Sequence, residues 1–333
     1  MALVFTACEA LSAKDGVKIG FLGLAMSVAT RDLGMIQKSA IKKNNITLIA
    51  GPTASGKSQF ALNIAKKNGG VIINADSMQV YDGLQVLTAR PIDYEMQNIP
   101  HYLYGHINPE INYSTGQWIE DVKHLLDTLD NQAIIFVGGT GLYFKALLEG
   151  LADIPSVPED IRIFWREQLK IKGASNLYEE LKKHDPFIAS KLQPNDGQRI
   201  CRALEVWQAS GKPLSYWQNQ KTVPLVSNNN IKKMLLLPER QILYQRINYR
   251  FDKMVELGAL EEVEALIKRE LPAYLPTMKA IGVPELSAYL AGEQTLDEAI
   301  TEAKMRTRHY AKRQMTWFRH QFDQSWIHMA ASD

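Results

Sequence analysis

The eight residues Gly51-Pro52-Thr53-Ala54-Ser55-Gly56-Lys57-Ser58 constrain this chain more than any other segment. They follow a short apolar run, Ile46-Thr47-Leu48-Ile49-Ala50, and precede a helix-like run from Gln59 to Lys67. The pattern is G-x-x-x-x-G-K-[ST], a phosphate-binding P-loop, in the strand–loop–helix context the motif requires. Gly51 and Gly56 let the backbone curl until several N–H groups converge on one anion, and the helix N-terminus adds its partial positive charge. Lys57 brings a mobile cation, and Ser58 a hydroxyl placed to ligate Mg²⁺. The bland alternative is a glycine-rich turn that matches by chance; strand, helix, Lys57 and Ser58 together argue against it. Read alone, the loop suggests ATP. What it binds is a diphosphate, and other compounds carry one.

The surrounding sequence alternates in the same manner. Residues 70–75 read as a second buried strand. Ser114 and Gln117 stand at capping-box spacing and open a helix that carries Trp118, Val122, Leu125, Leu126 and Leu129 on one face. Residues 133–137 give a third strand, ending in Gly138-Gly139-Thr140-Gly141, and 142–148 a helix. Alternating strands and helices predict an α/β fold, a P-loop core whose parallel sheet is flanked by helices, with ligands at the carboxyl ends of the strands. Three such ends converge: 51–58, Asp76-Ser77 and 138–141. Beyond Ile154-Pro155-Ser156-Val157-Pro158 the strand signal stops. Helices are predicted over 159–170, 177–184, 186–192 and 198–210, so residues 156–211 form an inserted all-helical subdomain between core segments 41–155 and 212–333. Residues 234–237 return to the sheet. Helices then follow over 240–257, 260–269, 284–291 and 296–321.

A chain of 333 residues has room for a large core and more than one domain. Cys8 and Cys201 are its only cysteines. That excludes a disulfide framework and a four-cysteine zinc site, and suits the reducing cytoplasm. No apolar stretch reaches the ~18 residues of a membrane span, so the expectation is a cytoplasmic protein without a membrane partner. Residues 1–40 form an N-terminal extension. Its apolar stretch 19–29 is a poor signal peptide, because the basic residues lie late. The expectation is that residues 1–34 are dispensable or a mis-assigned start ahead of Met35, with a targeting role as the alternative.

Asp76 follows the second strand directly and should project towards the P-loop, where a carboxylate can ligate Mg²⁺ or accept a proton. The alternative is a helix-capping or turn aspartate. The third strand is informative for what it lacks: no acid follows it, although P-loop ATPases and GTPases hold Mg²⁺ with one there. Thr140 instead offers a hydroxyl suited to phosphate oxygens or a substrate amine. Residues 303–322 contain six basic residues (Lys304, Arg306, Arg308, Lys312, Arg313, Arg319) and no acid. The net charge of +2 hides this run. Basic side chains grip a phosphate backbone, and the interleaved rings of Tyr310, Trp317 and Phe318 either stack on bases or pack in the core. Arg199 with Arg202, and Arg246 with Arg250, sit on single helix faces. Each pair either clamps phosphate or makes surface ion pairs, and spacing does not separate the two.

Together these segments resemble the bacterial tRNA dimethylallyltransferases, also called tRNA isopentenyltransferases. The resemblance lies in GPTASGKS (51–58), INADSMQVY (73–81), VGGTGLYFKALLEGL (137–151), NDGQRICRALEVWQASGKPL (195–214), RINYRFDKMVELG (246–258) and AKRQMTWFR (311–319), in family order. It implies transfer of a five-carbon prenyl group from dimethylallyl diphosphate to N6 of adenosine 37, in tRNAs reading codons that begin with U. By position, Asp76 resembles the general base, Thr140 a threonine near the reacting amine, and Arg250 and Arg199 arginines of the site. Ser58 is the implied ligand of Mg²⁺. The implied tRNA contacts are Asp76, Ser77, Met78, Gln79, Arg162, Gln198, Arg199, Ile200, Cys201, Arg202, Lys279, Gly282, Lys312, Arg313, Gln314, Trp317 and Arg319, gripping the anticodon stem-loop. One departure is visible: Val283-Pro284 stands where many members carry an aromatic and then a basic residue. A monomer is expected. The competing readings are a small-molecule P-loop kinase, a prenyltransferase acting on free adenine nucleotides, and an RNA-binding switch without chemistry. The basic run argues against the first two, and Asp76 facing the P-loop against the third.

Overall fold

The computed structural model describes residues 45–129, 132–220, 222–226 and 231–329. The readings of residues 1–40, of Cys8 and of Met35 lie outside that range. Among the described residues, strands β1 (Ile46–Ala50), β2 (Val71–Asn74), β3 (His101–Tyr102), β4 (Ile134–Gly138), β5 (Ile231–Leu236) and β6 (Ile327–Met329) form one sheet, in the order β3-β2-β4-β1-β5-β6. Every pairing is parallel. The helices are α1 (Lys57–Asn68), α2 (Asp93–Met96), α3 (Thr115–Thr128), α4 (Gly141–Glu149), α5 (Glu159–His184), α6 (Pro186–Ala189), α7 (Gly197–Ser210), α8 (Leu214–Gln218), α9 (Arg240–Glu256), α10 (Ala259–Ile267), α11 (Val283–Leu290) and α12 (Leu296–Gln321). None among the described residues is long and apolar enough to cross a membrane.

Strand β1 is central and buried along its whole length, so it reads as a continuous apolar run rather than an alternation. Its two faces still separate by the period of two. Leu48 and Ala50 join Ile73, Ile134 and Phe136 beneath α3, α4 and the end of α12. Ile49 joins Ile72, Ile135 and Val137 beneath α1. Trp118 stacks on Tyr143 at a 4.1 Å ring separation in the first of these cores. Its truncation to alanine is expected to cost about 3–5 kcal/mol. The chain enters at β1, crosses to β2 and β3, returns to β4 beside β1, then continues to β5 on the other side. The strand order therefore reverses around β1, the place where open parallel sheets bind ligands. Cα pairing aligns Ala50 with both Gly138 and Leu235, so the carboxyl ends lie level.

The capping box at Ser114 forms as expected: Gln117 N–H donates to Ser114 Oγ at 3.2 Å, and Ser114 N–H to Gln117 Oε1 at 2.9 Å. The helices predicted over 159–170 and 177–184 are present as the two arms of α5, which meet at a kink where Gly173 adopts φ 77°. Strands β3 and β6, of two and three residues, were not predicted, because edge strands so short carry no periodic signal.

Helices α5 to α8 enclose their own core around Trp165, Leu177, Leu181, Ile200 and Leu204. Buried Asp185 ties its ends together, accepting Ile188 N–H at 3.0 Å and Ser215 N–H at 2.8 Å. The packing thus carries the helical unit past residue 211 into α8. A fourth core joins α9 to α12, with Phe251, Met254, Val263, Leu286 and Ala303.

Candidate active site

The P-loop leaves β1 and turns on itself, with Ser55 N–H donating to Pro52 C=O at 3.2 Å. Ala54 takes φ 62° and Gly56 φ 84°. The left-handed alanine costs roughly 1–2 kcal/mol, strain held where backbone N–H groups must converge. No acidic residue occupies the first turn of α1, and no side chain caps it. Its N–H groups remain oriented for an anion.

Asp76 is set by a bracket that the local sequence pattern does not announce. Asn74 is fully buried at the end of β2. Its Nδ2 donates to Asp76 C=O at 2.9 Å and Leu103 C=O at 3.0 Å, while its Oδ1 accepts Asp76 N–H at 2.8 Å. Trp118 Nε1 donates to Asn74 C=O at 3.0 Å. Asp76 Oδ1 in turn accepts Met78 N–H at 3.0 Å, which leaves the other oxygen available. A polar residue inside an otherwise apolar strand was the signal that could have found Asn74.

Thr140 lies beside this loop, two residues beyond β4 at the N-cap of α4. Its N–H donates to Ala75 C=O at 3.2 Å, and its hydroxyl accepts Ser77 N–H at 2.9 Å and lies 3.2 Å from Ser77 Oγ. Gly138 permits the approach: a Cβ there would fall 1.9 Å from Ala75 C=O.

From α9, the Arg250 guanidinium donates to Thr53 Oγ1 in the P-loop. Arg246, one turn earlier, brings its Nη1 to 3.9 Å from where a Cβ on Gly56 would stand. Enclosure pushes Lys57 down to about 8, partly opposed by the charge of Asp76 and reinforced by that of Arg250. Arg250 is pushed down to about 10 by burial, with Asp76 opposing. Around the same carboxylate, the phenols of Tyr104, Tyr143 and Tyr310 are pushed up by burial and then by Asp76. The site is therefore a part-buried cradle of cations facing one carboxylate, an arrangement that can receive a diphosphate and can take a proton from a neutral nucleophile.

Helix α12 closes the cluster. Gln314 reaches both the P-loop and Gly139, Trp317 packs over Gly141, and Phe318 is buried in the sheet core. The basic run divides. Lys304 pairs with Asp252 at 2.5 Å, Arg306 with buried Glu285, and Arg308 with Asn248 at 2.7 Å. Lys312, Arg313 and Arg319 are exposed.

The helical unit is organised differently. Arg199 is 73 % exposed and sits 3.6 Å from Asp196. It is not among the side chains gathered at the strand ends. Arg162 pairs with Glu159 at 3.6 Å and Arg202 with Glu205 at 3.8 Å. Ile200 and Cys201 are buried in the helical core, so Gln198, Arg199 and Arg202 are the members of that segment whose side chains reach the surface. Lys279 is exposed, whereas Gly282 is buried at φ 102°. Gln79 spends its amide on Thr88 C=O and Ala89 C=O, at 2.9 and 3.0 Å.

A family model described as IPP transferase matches residues 79–321. A tRNA dimethylallyltransferase of Bartonella henselae is 55 % identical over 287 residues, spanning 86 % of this chain and 99 % of its own. One from a Chelativorans species is 55 % identical over 285 residues, spanning 85 % and 98 %. Among solved structures, the tRNA isopentenylpyrophosphate transferase of Bacillus halodurans superposes with a TM-score of 0.61 at 34 % identity, covering 87 % of this chain and 92 % of its own. A eukaryotic dimethylallyltransferase acting on tRNA gives a TM-score of 0.74 at 29 % identity, covering 87 % and 74 %.

Proposed function

The chain belongs to the IPP transferase family, and from that membership we propose that it transfers the dimethylallyl group of dimethylallyl diphosphate to N6 of adenosine 37 in tRNAs reading codons that begin with U. The observation that carries this reading is the pairing of a diphosphate cradle with a single enclosed carboxylate, in a chain of this family. N6 attacks the allylic C1 carbon and the C1–O bond breaks. The diphosphate leaves with the bonding pair, and the N6 proton passes to Asp76. Negative charge grows on the leaving oxygens, which the P-loop backbone, Lys57 and Arg250 would stabilise. Thr140 and Ser77, linked through their hydroxyls, line the acceptor side.

The donor set suits Mg²⁺. That ion takes hard oxygen ligands, usually one or two from protein, and completes its shell with substrate phosphates and water. Ser58 offers an exposed hydroxyl in the first turn of α1. Among the described residues no cluster of three or more His, Cys, Asp or Glu side chains forms an all-protein cage. Ser58 would hold the ion, which when bound would neutralise charge on the diphosphate oxygens.

The exposed cations Lys312, Arg313, Arg319, Lys279 and Arg199, with half-buried Arg162 and Arg202, serve the anticodon stem-loop in this reading, and the protein works as a cytoplasmic monomer. The test supplies labelled dimethylallyl diphosphate and Mg²⁺ with either unmodified tRNA or AMP. Label is expected on tRNA alone. Label on AMP alone, or ATP turnover without prenyl transfer, would overturn the assignment.

A further inference from the structure

Gln314 lies in the basic stretch of α12, yet its surroundings are unlike those of its neighbours. Lys312 and Arg313 face solvent, whereas Gln314 is only 6 % exposed. Its carboxamide is used at both ends. Oε1 accepts Thr53 N–H from the P-loop at 2.9 Å, and Nε2 donates to Gly139 C=O beyond β4 at 2.9 Å. We propose that Gln314 is a positioning residue, a clasp that fixes the spacing between the diphosphate cradle and the acceptor side of the site. The proposal rests on the prenyl-transfer reading above.

The two loops that Gln314 joins carry different parts of the reaction. Thr53 also receives Arg250 through its hydroxyl, so the clasp bears directly on the leaving-group side. Gly139 lies between Gly138, which touches Ala75, and Thr140, which holds Ser77. A methyl group on Gly139 would stand 2.3 Å from Gln314 Nε2 and 3.3 Å from Asp76 Oδ2. The absence of a side chain there lets the amide reach the carbonyl, next to the carboxylate that takes the proton. A carboxamide of this length supplies one acceptor and one donor at a single terminus. An ionised glutamate supplies only acceptors, and methionine supplies no donor.

Displacement at C1 needs the donor carbon and N6 within about 3–3.5 Å and in line, and a misplacement of about 1 Å costs on the order of 100-fold in rate. Loosening the clasp should therefore slow the chemical step without weakening the grip on tRNA. The experiment compares the wild-type protein with Gln314→Met, which keeps the side-chain length. It reads the single-turnover transfer rate at saturating tRNA and dimethylallyl diphosphate, the tRNA dissociation constant by filter binding, and amide exchange at Thr53. The expected result is a rate lower by roughly 10- to 100-fold, tRNA affinity within about twofold of wild type, and faster exchange at Thr53. An unchanged saturating rate with weaker tRNA binding would make Gln314 a tRNA contact and overturn the clasp, as would a variant equal to wild type in every readout. If Gln314→Met does not fold, Gln314→Glu, which keeps the acceptor towards Thr53, is judged by the same split. A wild-type protein that transfers no prenyl group refutes the functional reading instead, and the exchange rate at Thr53 still decides the clasp.

Discussion

At the strand ends, Arg250 is enclosed, depressed to about 10, and donates to the P-loop hydroxyl of Thr53. In the helical unit, Arg199 stands in solvent beside Asp196 at 3.6 Å. Spacing along the chain puts the two arginines on equal footing. What separates them is their surroundings. The strand ends gather Lys57, Arg250 and Asp76 from three elements into a shared, part-buried space where charges act more strongly than in open water. The helical unit spreads Arg162, Arg199 and Arg202 along α5 and α7, beside carboxylates at 3.6 to 3.8 Å. Arg199 is screened by water, whereas Arg202 and buried Glu205 are partly desolvated, which lowers the pKa of the first and raises that of the second. In the proposed function the first region acts on a small charged group, and the second presents charge to something large.

The largest effect should follow removal of the lone carboxylate. Asp76→Ala is expected to lower the transfer rate by about 1,000-fold, the scale of a positioned general base, while the fold persists through Asn74 and Trp118. Rate measurement with a circular dichroism check tests this, and a fully active variant would remove the base assignment. Arg250→Ala should cost roughly 100-fold at saturation, since it withdraws a preorganised cation from the developing charge. Single-turnover kinetics would show it. A change confined to donor KM would mean that Arg250 binds ground and transition states alike.

Asp76 could be singled out from a local signal, because it ends an apolar run, and so could the P-loop and the Ser114 capping box. Arg250 was singled out only by the family resemblance, its spacing leaving clamp and ion pair open. Asn74 left one signal, a polar residue in an apolar strand, that went unread, and the Gln314 clasp left none, because its partners Thr53 and Gly139 lie far away in sequence. The basic run of α12 was half legible. Composition revealed six cations, but only the packing of α9 and α11 shows that Lys304, Arg306 and Arg308 are engaged by Asp252, Glu285 and Asn248. Strands β3 and β6 were too short to show alternation.

Acidity offers a finer probe of the enclosed region. Lys57, at about 8 in the free protein, is charged below that pH and loses its charge above it. The rate constant kcat/KM for the diphosphate donor should therefore fall by about tenfold per pH unit above 8. Bound diphosphate favours the charged form and raises the pKa, so kcat should hold to higher pH. A flat kcat/KM between about pH 7 and 9.5 would show that the loop is more hydrated than its geometry implies.

The two halves of α12 carry the same contrast at smaller scale. Replacing Lys312, Arg313 and Arg319 with alanine should leave melting unchanged and make the salt dependence of tRNA binding shallower, by a slope of about 0.7 for each phosphate no longer neutralised. Arg306→Ala should instead destabilise the fold by about 3 kcal/mol, because Glu285, 1 % exposed, keeps only Gly282 N–H at 2.8 Å. Thermal melts and salt titrations separate the two outcomes.

The smallest effect is expected at Arg199, and it tests the contrast most directly. An exposed guanidinium beside Asp196 has little to lose in the free protein, so Arg199→Ala should leave stability within about 0.5 kcal/mol of wild type. On tRNA, withdrawing one screened cation from a phosphate should raise the dissociation constant by a few-fold and flatten the salt slope by about 0.7, with the saturating rate within about twofold. A loss at saturation comparable to that of Arg250→Ala would mean that tRNA binding draws α7 down onto the strand ends and makes Arg199 part of the chemistry. Exposure in the free protein would then mark an arginine waiting for its substrate, and the division between the two regions would hold only until tRNA arrives.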